Sequence, residues 1–405
     1  MISNTNKLGL EKTDRPLAGL KVVEFTHMVM GPAMGMILAD LGADVTKVEP
    51  LAGDNTRRLT GSGAGYFAMY NRNKRSLCID VKSAEGKAAT RALIDRADIV
   101  VENFRPGAME DLGLGYEVLA QTNPRLVYCS AKGFLPGPYE HRTALDEVAQ
   151  MMGGLAYMTG LPGRPMRAGA SVIDVTGAMF GVIAILAALE ERHRSGRGQK
   201  VSSSLFETTV FLVGQHMAQY AVTGTPAPPM STRLSAWGVY DIFETKHGEP
   251  VFVGVVSDTQ WRKFCEAFEL AEFIADRSLD RNIERVQQRD RVIGRLRKVF
   301  SGFDKQQLMD KLEHTGLPFA PVSKPEELSD DPHLNASDGL VTVTLPSGGT
   351  ARLPALPVSM AGRRFELYRD LPAEGGHSRE VLLSAGLSPK DVDALFAGNV
   401  ARTGA

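Results

Sequence analysis

Asp174 is the residue of this sequence whose position best suits chemistry. It stands just before a mostly apolar run, residues 178–189, which predicts a buried helix. Basic residues and two glycines, Gly196 and Gly198, follow the run and indicate the end of that helix. The carboxylate is therefore expected at the helix N-terminus, where unpaired backbone N–H groups and the helix dipole stabilise an anion. There it can cap the helix, or it can act as an ionised group in a reaction.

Short β-branched runs alternate with helical patterns through the first third of the chain. Strands joined by a helix in this way form βαβ units, which are parallel and have right-handed crossovers. The alternation predicts an α/β fold with a Rossmann-like, doubly wound large domain. The predicted strands are residues 20–25, 44–48, 76–80, 98–102 and 125–130. The predicted helical segments between them are residues 33–41, 84–96 and 106–121, the last interrupted at residues 113–115.

The segments that follow these strands are the predicted ligand-binding region, because ligands of doubly wound sheets bind beyond the C-terminal strand ends. The turn after the first strand reads THMVMGP, in which Gly31 and Pro32 are expected to separate strand from helix. It is neither the G-x-G-x-x-G pattern of dinucleotide binding nor a Walker A loop, and no HExxH, CxxC or GxSxG motif occurs. These patterns argue against NAD binding, nucleotide hydrolysis, zinc proteolysis, thiol redox chemistry and α/β-hydrolase chemistry.

A change in composition marks a second domain. Residues 223–232 are rich in Pro, Thr and Gly and predict a linker. The chain is expected to divide into a large domain over residues 1–222, a smaller α+β domain over 223–330, and a C-terminal segment over 331–405. The predicted elements are helix 202–222, strands 238–243 and 250–255, helices 259–269, 281–300 and 305–314, hairpin strands 340–345 and 351–353, and helices 378–385 and 389–396.

The composition is that of a soluble globular protein, with 43% apolar and 23% charged residues among 405. A formal net charge of −1 gives no reason to expect binding to nucleic acid or to an anionic membrane. Cys78, Cys129 and Cys265 are far apart, match no metal-binding spacing and predict reduced, buried thiols. The polar N-terminus lacks a secretory signal, and no apolar run reaches the roughly 18 residues of a spanning helix. We expect a cytoplasmic protein without a metal site.

Segments distributed over nearly the whole chain resemble the class III CoA-transferases, in the order in which that family carries them. The family includes formyl-CoA transferase, carnitine CoA-transferase and succinyl-CoA:glutarate CoA-transferase. Each segment alone is weakly specific, but their shared order makes the resemblance specific. The matching segments are PLAGLKVVEFTHMVMGP (16–32), LADLGADVTKVEP (38–50), GDNTR (53–57), NRNKRSLCIDVK (71–82), VENFRPGAMEDLGLGYE (101–117), NPRLVYCSAKGF (123–134), GASVIDVTGAMFG (169–181), RHRSGRGQKV (192–201), LPFAPV (317–322) and GGHSREVL (375–382).

The resemblance implies that Asp174 is the nucleophile of a CoA-transferase. It also implies a two-domain subunit in which residues 331–405 return to complete the large domain, and a homodimer of two interlocked chains. Coenzyme A is the expected cofactor, carried as an acyl-CoA substrate, and its site is expected near the C-terminal ends of the strands. The strand pattern predicts a ligand in the same place.

In the chemistry that the resemblance implies, Asp174 attacks the thioester of an acyl-CoA donor, forms a mixed anhydride and releases CoA thiolate. The thiolate then attacks the aspartyl carbonyl, which frees the donor acid and leaves an aspartyl-CoA thioester. An acceptor acid reverses this sequence. The nucleophile must be ionised, which a helix N-terminus favours, and the adjacent glycines and helix start are expected to supply N–H donors for the oxyanions.

The matching segments also imply which residues contact CoA. Phe104 is expected to lie against the adenine, and Lys82 or Arg105 to meet a phosphate. Met28 and Val29 offer backbone contacts, although these side chains fit a core equally well, and the other positions also suit solvated strand ends. The predicted CoA-binding residues are Met28, Val29, Ile79, Lys82, Asn103, Phe104, Arg105 and Lys132.

The acyl pocket is where the chain departs from its relatives. Val29 and Pro50 stand where formyl-CoA transferase carries glutamine and arginine, and Leu145 replaces a tyrosine, which argues against formyl-CoA and oxalate as substrates. An acyl-CoA racemase or isomerase of the same fold would need a histidine at Leu145, and His141 is four residues away. That function and a CoA-thioester-binding protein without turnover are the alternatives.

Three residues are candidates for recognition of the acyl group. Arg233, in a segment where relatives place a loop over the pocket, and Arg57 could pair with a second substrate carboxylate, and Arg167 is a further candidate. Asp146 matches a second family acid that either orients the site or caps the helix expected over residues 147–152. We therefore expect dicarboxylic substrates, with succinyl-CoA or another dicarboxylyl-CoA as donor.

Overall fold

The computed structural model describes residues 14–232 and 235–404, which form two compact units. The larger unit contains the described residues up to Ser231 and from Pro332 onward, and the smaller unit is Thr232–Asp331. Strands and helices are numbered along the chain. The strands are β1 (Lys21–Phe25), β2 (Asp44–Glu49), β3 (Lys74–Ile79), β4 (Ile99–Glu102), β5 (Val127–Lys132), β6 (Lys200–Ser204), β7 (Val239–Glu244), β8 (Pro250–Val255), β9 (Phe319–Pro321), β10 (Leu340–Thr344), β11 (Thr350–Pro354) and β12 (Ala401–Arg402).

The α-helices follow the same numbering. They are α1 (Met30–Asp40), α2 (Tyr66–Tyr70), α3 (Ala84–Ile94), α4 (Ala108–Asp111), α5 (Tyr116–Leu119), α6 (Asp146–Met152), α7 (Leu155–Thr159), α8 (Val172–Ser195), α9 (Leu205–Thr223), α10 (Asp258–Ala267), α11 (Ala271–Ala275), α12 (Asn282–Gln287), α13 (Arg289–Phe300), α14 (Lys305–Glu313), α15 (Pro332–Ala336), α16 (Ser378–Ser384) and α17 (Pro389–Ala397).

A sheet of seven described strands forms the centre of the larger unit, in the order β12-β3-β2-β1-β4-β5-β6. The strands from β1 to β6 are all parallel, and β12 is antiparallel to β3. Without β12, this is the strand order of a doubly wound sheet. The strands are rich in β-branched and apolar residues because both of their faces are buried. The predicted α/β class with a parallel sheet is therefore confirmed.

Helices cover both faces of this sheet. α1 and α8 pack on the face that includes Val22 and Val45, whereas α3, α16 and α17 pack on the opposite face with Val23 and Leu77. Successive residues of a strand point to opposite faces, which explains why neighbouring valines belong to different cores. The apolar run in β1 therefore reflects the burial of this strand on both faces of the sheet.

α1 and α8 lie side by side and run parallel. A Cβ atom placed on Gly177 would meet Met30, and one placed on Gly181 would meet Met34, so the contacts advance by four residues on both helices. α1 follows directly from the C-terminal end of β1. Both helix N-termini therefore lie at the edge of the sheet where the strands end, which is the edge predicted to bind the ligand.

The C-terminal residues of the larger unit extend its sheet and cover one face. β12 pairs with β3, with Ala401 opposite Ile79. At the start of α16, the Ser378 hydroxyl accepts a hydrogen bond from the backbone N–H of Cys78 at 3.1 Å. β10 and β11 form the hairpin that the sequence predicts across residues 346–349.

The smaller unit contains an antiparallel sheet of β7, β8 and β9 together with helices α10 to α14. Its core is aromatic, and Phe243 and Phe300 meet edge to face with ring centroids 4.8 Å apart. The single helix predicted over residues 281–300 is wrong. It is divided at Gln288 into α12 and α13 because that residue has φ of −105° and ψ of 23°, outside helical geometry.

Two further boundaries differ from the sequence prediction. Gly31 and Pro32 do not separate β1 from α1 but lie in the first turn of α1. A proline is compatible with that turn because the N–H it lacks would have no intrahelical partner. β6, which the sequence analysis missed, is a polar edge strand held by its pairing with β5. Its serines gave no apolar signal.

α8 is longer than the apolar run that predicted it and comprises 24 residues. Within the described ranges, it is the one helix long and apolar enough to cross a membrane by length and composition alone. The expectation that no segment reaches spanning length is therefore wrong. Ile173, Val182 and Ile185 of this helix are nevertheless buried in the core of the larger unit. Core helices of this kind pass the same two criteria, so the finding is weak support for a membrane span.

Candidate active site

Asp174 lies in the first turn of α8, at the edge of the sheet where the parallel strands end. The residue is half-buried, and its carboxylate has no hydrogen-bond or ion-pair partner among the described residues. Burial, followed by the negative charges of Asp146 and Glu147, raises the pKa of Asp174 to about 7, while Arg167 opposes the rise. A free carboxylate with a strongly raised pKa is typical of a functional site.

The cap of α8 comes from another helix. Ser171 is the N-cap residue, but its side chain makes no capping hydrogen bond. Instead, Oδ2 of Asp146 accepts hydrogen bonds from the backbone N–H groups of Ile173, at 2.9 Å, and Asp174, at 3.1 Å. The interpretation of Asp174 as the N-cap is therefore wrong, because Asp174 stands three residues inside the helix.

Two other expectations change with this cap. Asp146 does not cap its own helix, since it is the first residue of α6 and Leu145 precedes it as the N-cap. The helix start of α8 also has no free donors at Ile173 and Asp174, because Asp146 occupies both N–H groups. By contrast, the N–H groups of the first turn of α1 have no acceptor among the described residues at Met30 and Gly31.

The turn between β1 and α1 is held by a network of hydrogen bonds. Asn103 binds the backbone of His27 twice, accepting from its N–H at 3.0 Å and donating to its carbonyl at 2.9 Å. The His27 ring stacks on Phe104, with centroids 6.0 Å apart. Met28 has a left-handed φ of 64°, and its N–H donates to the hydroxyl of Thr56 at 3.0 Å. The predicted residues Met28, Asn103 and Phe104 are thus brought together around one turn.

A cavity of about 400 Å³ lies beyond the ends of β1, β2, β3 and β4. Three of the predicted CoA-binding residues, Ile79, Lys82 and Phe104, line it together with apolar residues such as Val48 and Leu112. An apolar slot with a lysine at its margin is suited to an aromatic base that carries phosphate.

Three predicted CoA-binding residues have other surroundings. Val29 is almost completely buried, so it presents no exposed side chain to a ligand. Lys132 forms an ion pair with Glu102, 2.7 Å between Nζ and Oε1, and donates to the carbonyl of Phe104 at 2.8 Å. Arg105 is exposed at the surface, 3.3 Å from Asp111.

The arginines proposed to recognise a substrate carboxylate also differ in their surroundings. Arg57 binds Glu49 with two hydrogen bonds, of 2.8 and 2.6 Å, and stacks over the ring of Phe67. Arg167 pairs with Glu147 and lies 3.6 Å from Asp146. Arg233 lies outside the described residues.

Sequence reasoning missed two residues beside Asp174. Burial, and after it the charge of Asp174, raises the pKa of Tyr70. The phenol of Tyr70 is therefore close enough to Asp174 to respond to the charge of its carboxylate. Nothing in the YFAMY segment signals that role. Gln150 donates to Asp146 and accepts from the backbone N–H of Ala168 at 2.8 Å. Its spacing of four residues from Asp146 on a predicted helix was the available signal.

Comparisons with known proteins identify the family of the chain. A family model described as CoA-transferase family III matches residues 17–378. A succinate–glutarate CoA-transferase of Agrobacterium fabrum is 32% identical to this chain over 91% of it and 95% of its own length. A succinyl-CoA:mesaconate CoA-transferase of Haloarcula hispanica is 33% identical over 92% of this chain and 96% of its own.

A similar fold is also found among solved structures. The crystal structure of a CAIB/BAIF family protein from Brucella suis matches this chain with a TM-score of 0.81 and 30% identity. The match covers 92% of this chain and 99% of that protein. Because a family model and relatives above 30% identity both span nearly the full length, the chain belongs to CoA-transferase family III and is a CoA-transferase.

Proposed function

We propose that this enzyme moves CoA from an acyl-CoA donor to a free carboxylic acid through covalent intermediates on Asp174. The observation that carries the proposal is the carboxylate of Asp174, which has no partner among the described residues and stands at the ligand-binding edge of the sheet. Its pKa of about 7 supports the role, because a more basic carboxylate is a better nucleophile while remaining about half ionised at neutral pH.

The proposed reaction has four balanced steps. The Asp174 carboxylate attacks the donor thioester carbonyl, and the C–S bond breaks to give a mixed anhydride and CoA thiolate. The thiolate attacks the aspartyl carbonyl and expels the donor carboxylate, which leaves an aspartyl-CoA thioester. The acceptor carboxylate attacks this thioester, forming a second anhydride and releasing the thiolate again. The thiolate finally attacks the acceptor acyl group, which forms the product thioester and regenerates Asp174.

The backbone of α1 supplies candidate donors for the oxyanions of these steps. Met30 and Gly31 are buried residues, and their N–H groups have no acceptor within the described parts of the chain. They lie at the positive end of a helix whose N-terminus is beside that of α8, and fixed N–H donors of this kind stabilise developing negative charge.

We assign CoA itself to the cavity beyond β1 to β4. Its apolar lining and the neighbouring ring of Phe104 suit the adenine, and the ammonium group of Lys82 suits a phosphate. Ile79 lines the same cavity, and the turn at Met28 and Asn103 lies between β1 and α1. Lys132 and Arg105 are secondary candidates, because each already has a carboxylate partner.

We propose dicarboxylic acids as the substrates, with succinyl-CoA or another dicarboxylyl-CoA as the donor. The relatives that carry this proposal are a succinate–glutarate and a succinyl-CoA:mesaconate CoA-transferase. An arginine would recognise the second carboxylate. Arg167, which is a third exposed beside Asp146 and Glu147, is a candidate, and Arg233 is a candidate through the family resemblance alone. The guanidinium of Arg57 is buried and bound by Glu49.

The working assembly that we propose is a cytoplasmic homodimer of interlocked chains. Three described cysteines, Cys78, Cys129 and Cys265, are free and buried, which suits a reducing compartment. Large apolar side chains are exposed on neighbouring helices α8 and α9, as expected of a surface that a second copy covers.

A donor-by-acceptor screen tests the function. The purified enzyme is incubated with succinyl-CoA or acetyl-CoA and a panel of mono- and dicarboxylic acids, and new thioesters are detected by mass spectrometry. Hydroxylamine added during turnover should convert Asp174, and no other carboxylate, to a hydroxamate. Asp174→Ala should lose transfer by at least about 10³-fold, since the covalent route is removed. Glu190→Gln, an exposed change on the same helix, is the matched control.

Three outcomes would reject the proposal. Full transfer by Asp174→Ala together with an unmodified Asp174 would exclude the covalent route. Exchange of the α-hydrogen for deuterium without any acceptor acid would favour an acyl-CoA racemase. Calorimetric binding of CoA without thioester exchange across the panel would indicate a protein that binds CoA thioesters without turnover.

A further inference from the structure

The start of α8 depends on a carboxylate that comes from another helix. The side chain of Ser171, the N-cap residue, makes no capping hydrogen bond. Oδ2 of Asp146 accepts hydrogen bonds from the N–H groups of Ile173 and Asp174. These two bonds fix the backbone of the turn that carries the Asp174 side chain. The turn that carries Asp174 is thus tied to α6 through Asp146.

Asp146 is itself held in place by a buried amide. The Gln150 side chain is fully buried and donates to Oδ1 of Asp146, while its own carbonyl accepts from the N–H of Ala168 at 2.8 Å. Arg167 lies 3.6 Å from the same Oδ1 atom and donates to the carbonyl of Ala170 at 3.2 Å. α6 and the loop that leads into α8 are thus joined at one carboxylate.

We propose that Asp146 is the positioning residue of the nucleophile: its Oδ2 anchors the first turn of α8, and its negative charge faces the Asp174 carboxylate. This inference rests on the proposed covalent role of Asp174. It assigns Asp146 to the nucleophile rather than to the substrate, because both of its oxygens are engaged within the protein.

The groups around Asp174 allow the charge of Asp146 to act on it. Asp146 and Glu147 of α6 oppose ionisation of Asp174, Arg167 favours it, and Tyr70 of α2 lies within its electrostatic reach. α1 has no titratable side chain before Asp40. On the described elements β5 and α9, which also pack against α8, Lys132 is paired with Glu102, and Glu207 accepts from the Ser204 hydroxyl and the N–H of Leu135. Of the two carboxylates that oppose ionisation of Asp174, Asp146 is buried and Glu147 is exposed.

Two substitutions separate the anchoring bonds from the charge. Asp146→Asn keeps an oxygen that can accept the N–H groups of Ile173 and Asp174, but it removes the charge. We expect its acidic limb in a profile of kcat against pH to move about one unit lower, with the KM for acyl-CoA within twofold of wild type. Asp146→Ala removes both, and we expect kcat to fall by about 10²-fold at every pH, since small misplacement of a nucleophile has that effect.

An observable that does not need turnover keeps this inference independent of the proposed function. In protein labelled with ¹³C at the aspartate carboxyl groups, the Asp174 resonance is identified by its absence from Asp174→Asn and is titrated from pH 5 to 9. The midpoint should fall in Asp146→Asn and stay in place in Glu190→Gln, a charge-removing control on the exposed part of α8. Circular dichroism confirms that each variant is folded.

Each result decides one of the two proposals. An unmoved Asp174 midpoint in folded Asp146→Asn, or wild-type kcat in Asp146→Ala, would overturn the positioning role of Asp146. A shifted midpoint in a protein that transfers CoA between no pair of acids would preserve the link between the two carboxylates and reject the proposed function.

Discussion

At Asp174, the surroundings that suit a nucleophile also destabilise the folded protein when this carboxylate is ionised. Burial and the charges of Asp146 and Glu147 raise its pKa to about 7, so the folded protein binds this proton more tightly than the unfolded chain does. When the pKa of a carboxyl group is higher in the folded than in the unfolded state, the protein loses stability as the pH rises from the unfolded-state pKa to the folded-state pKa. The residue is therefore expected to reduce the stability of the enzyme at neutral and alkaline pH.

The substitution Asp174→Asn should stabilise the protein in a manner that depends on pH. The variant and wild type differ in their free energy of unfolding, and this difference should grow in favour of the variant by about 1 to 2 kcal/mol as the pH rises from 5.5 to 8. Each unit of pH below 7 contributes at most about 1.4 kcal/mol, and partial exposure to water screens the charge. Above about pH 7 the difference should be constant. Urea unfolding at a series of pH values measures it.

A matched variant distinguishes this effect from a general change in charge. Glu190→Gln removes a carboxylate from the exposed side of the same helix and should show no comparable pH dependence. A difference between Asp174→Asn and wild type that is the same at pH 5.5 and pH 8 would mean that Asp174 does not titrate in this range.

At the scale of elements, charged residues lie buried between the sheet and α1. Glu24 of β1 is 2.9 Å from Nζ of Lys74 of β3, and Lys74 also donates to the carbonyl of Pro32 at 2.9 Å. Burial lowers the pKa of Lys74 to about 8 against the opposing effect of Glu24. For Lys47 of β2, burial also opposes the charge, but Glu24 and Asp54 outweigh it and raise the pKa. Gly35 of α1 closes over this cluster.

The substitution Gly35→Ala should therefore destabilise the larger unit severely. Its Cβ would overlap the carboxylate of Glu24 and lie 3.1 Å from Nζ of Lys74, and buried ion pairs tolerate little displacement. We expect a loss of at least about 3 kcal/mol in the free energy of unfolding, measured by urea denaturation. Gly294→Ala in α13 is the control, because its Cβ would meet nothing within 4 Å. It should gain about 0.5 to 1 kcal/mol. Equal midpoints for Gly35→Ala and wild type would contradict the argument.

The same elements show what the sequence can and cannot reveal. β1 and β8 are predicted within one residue because their apolar runs reflect burial on the strand itself. β6 was missed because its KVSSS segment becomes a strand through pairing with β5, which no local pattern encodes. The place of Asp174 at the start of a buried helix was predicted, but its cap was not. That cap comes from Asp146, 28 residues earlier, and depends on how α6 and α8 pack.

On the scale of the whole molecule, hydrogen bonds of Asn73, the residue just before β3, hold the C-terminal segment at Tyr368 and Arg369. This residue is buried and has a left-handed φ of 63°. Its Oδ1 accepts from the N–H groups of Tyr368 and Arg369, each at 2.9 Å, and its Nδ2 donates to Asp40 at 2.8 Å. Asparagine suits the site because it tolerates this backbone conformation and has both an acceptor and a donor.

The substitution Asn73→Ala should loosen the C-terminal segment. One buried and two partly buried hydrogen bonds are lost, which should cost about 3 kcal/mol of the free energy of unfolding, and residues 364–404 should become more sensitive to limited proteolysis. Asn399→Ala is the control, since Asn399 also has a positive φ, of 53°, but is exposed. It should cost less than about 1 kcal/mol. An unchanged rate of cleavage in Asn73→Ala would show that β12 and α16 hold the segment without it.

The exposed apolar surface of α8 and α9 carries the last prediction. Met179 and Ile183 on α8 and Phe211 and Met217 on α9 are each at least half exposed, and Phe211 is 71% exposed. Phe211 packs edge to face on Phe180, with ring centroids 5.2 Å apart, so the two helices present one continuous face. A soluble protein rarely leaves a face of this kind uncovered, and a second copy of the chain is the partner that we propose.

When the chains are refolded from urea at micromolar concentration, Phe211→Glu should therefore assemble into far fewer dimers than wild type, because a charge buried in an apolar interface has no partner there. Sedimentation velocity measures the change. Ile274→Glu places the same charge on an exposed isoleucine of the smaller unit, 54% exposed, and should leave the dimer intact. If Phe211→Glu stays dimeric, the interface lies elsewhere. If wild type sediments as a monomer, the face has another occupant. Loss of the dimer in Phe211→Glu alone would place α9, and the apolar face that it shares with Phe180 of α8, at the surface that joins the subunits.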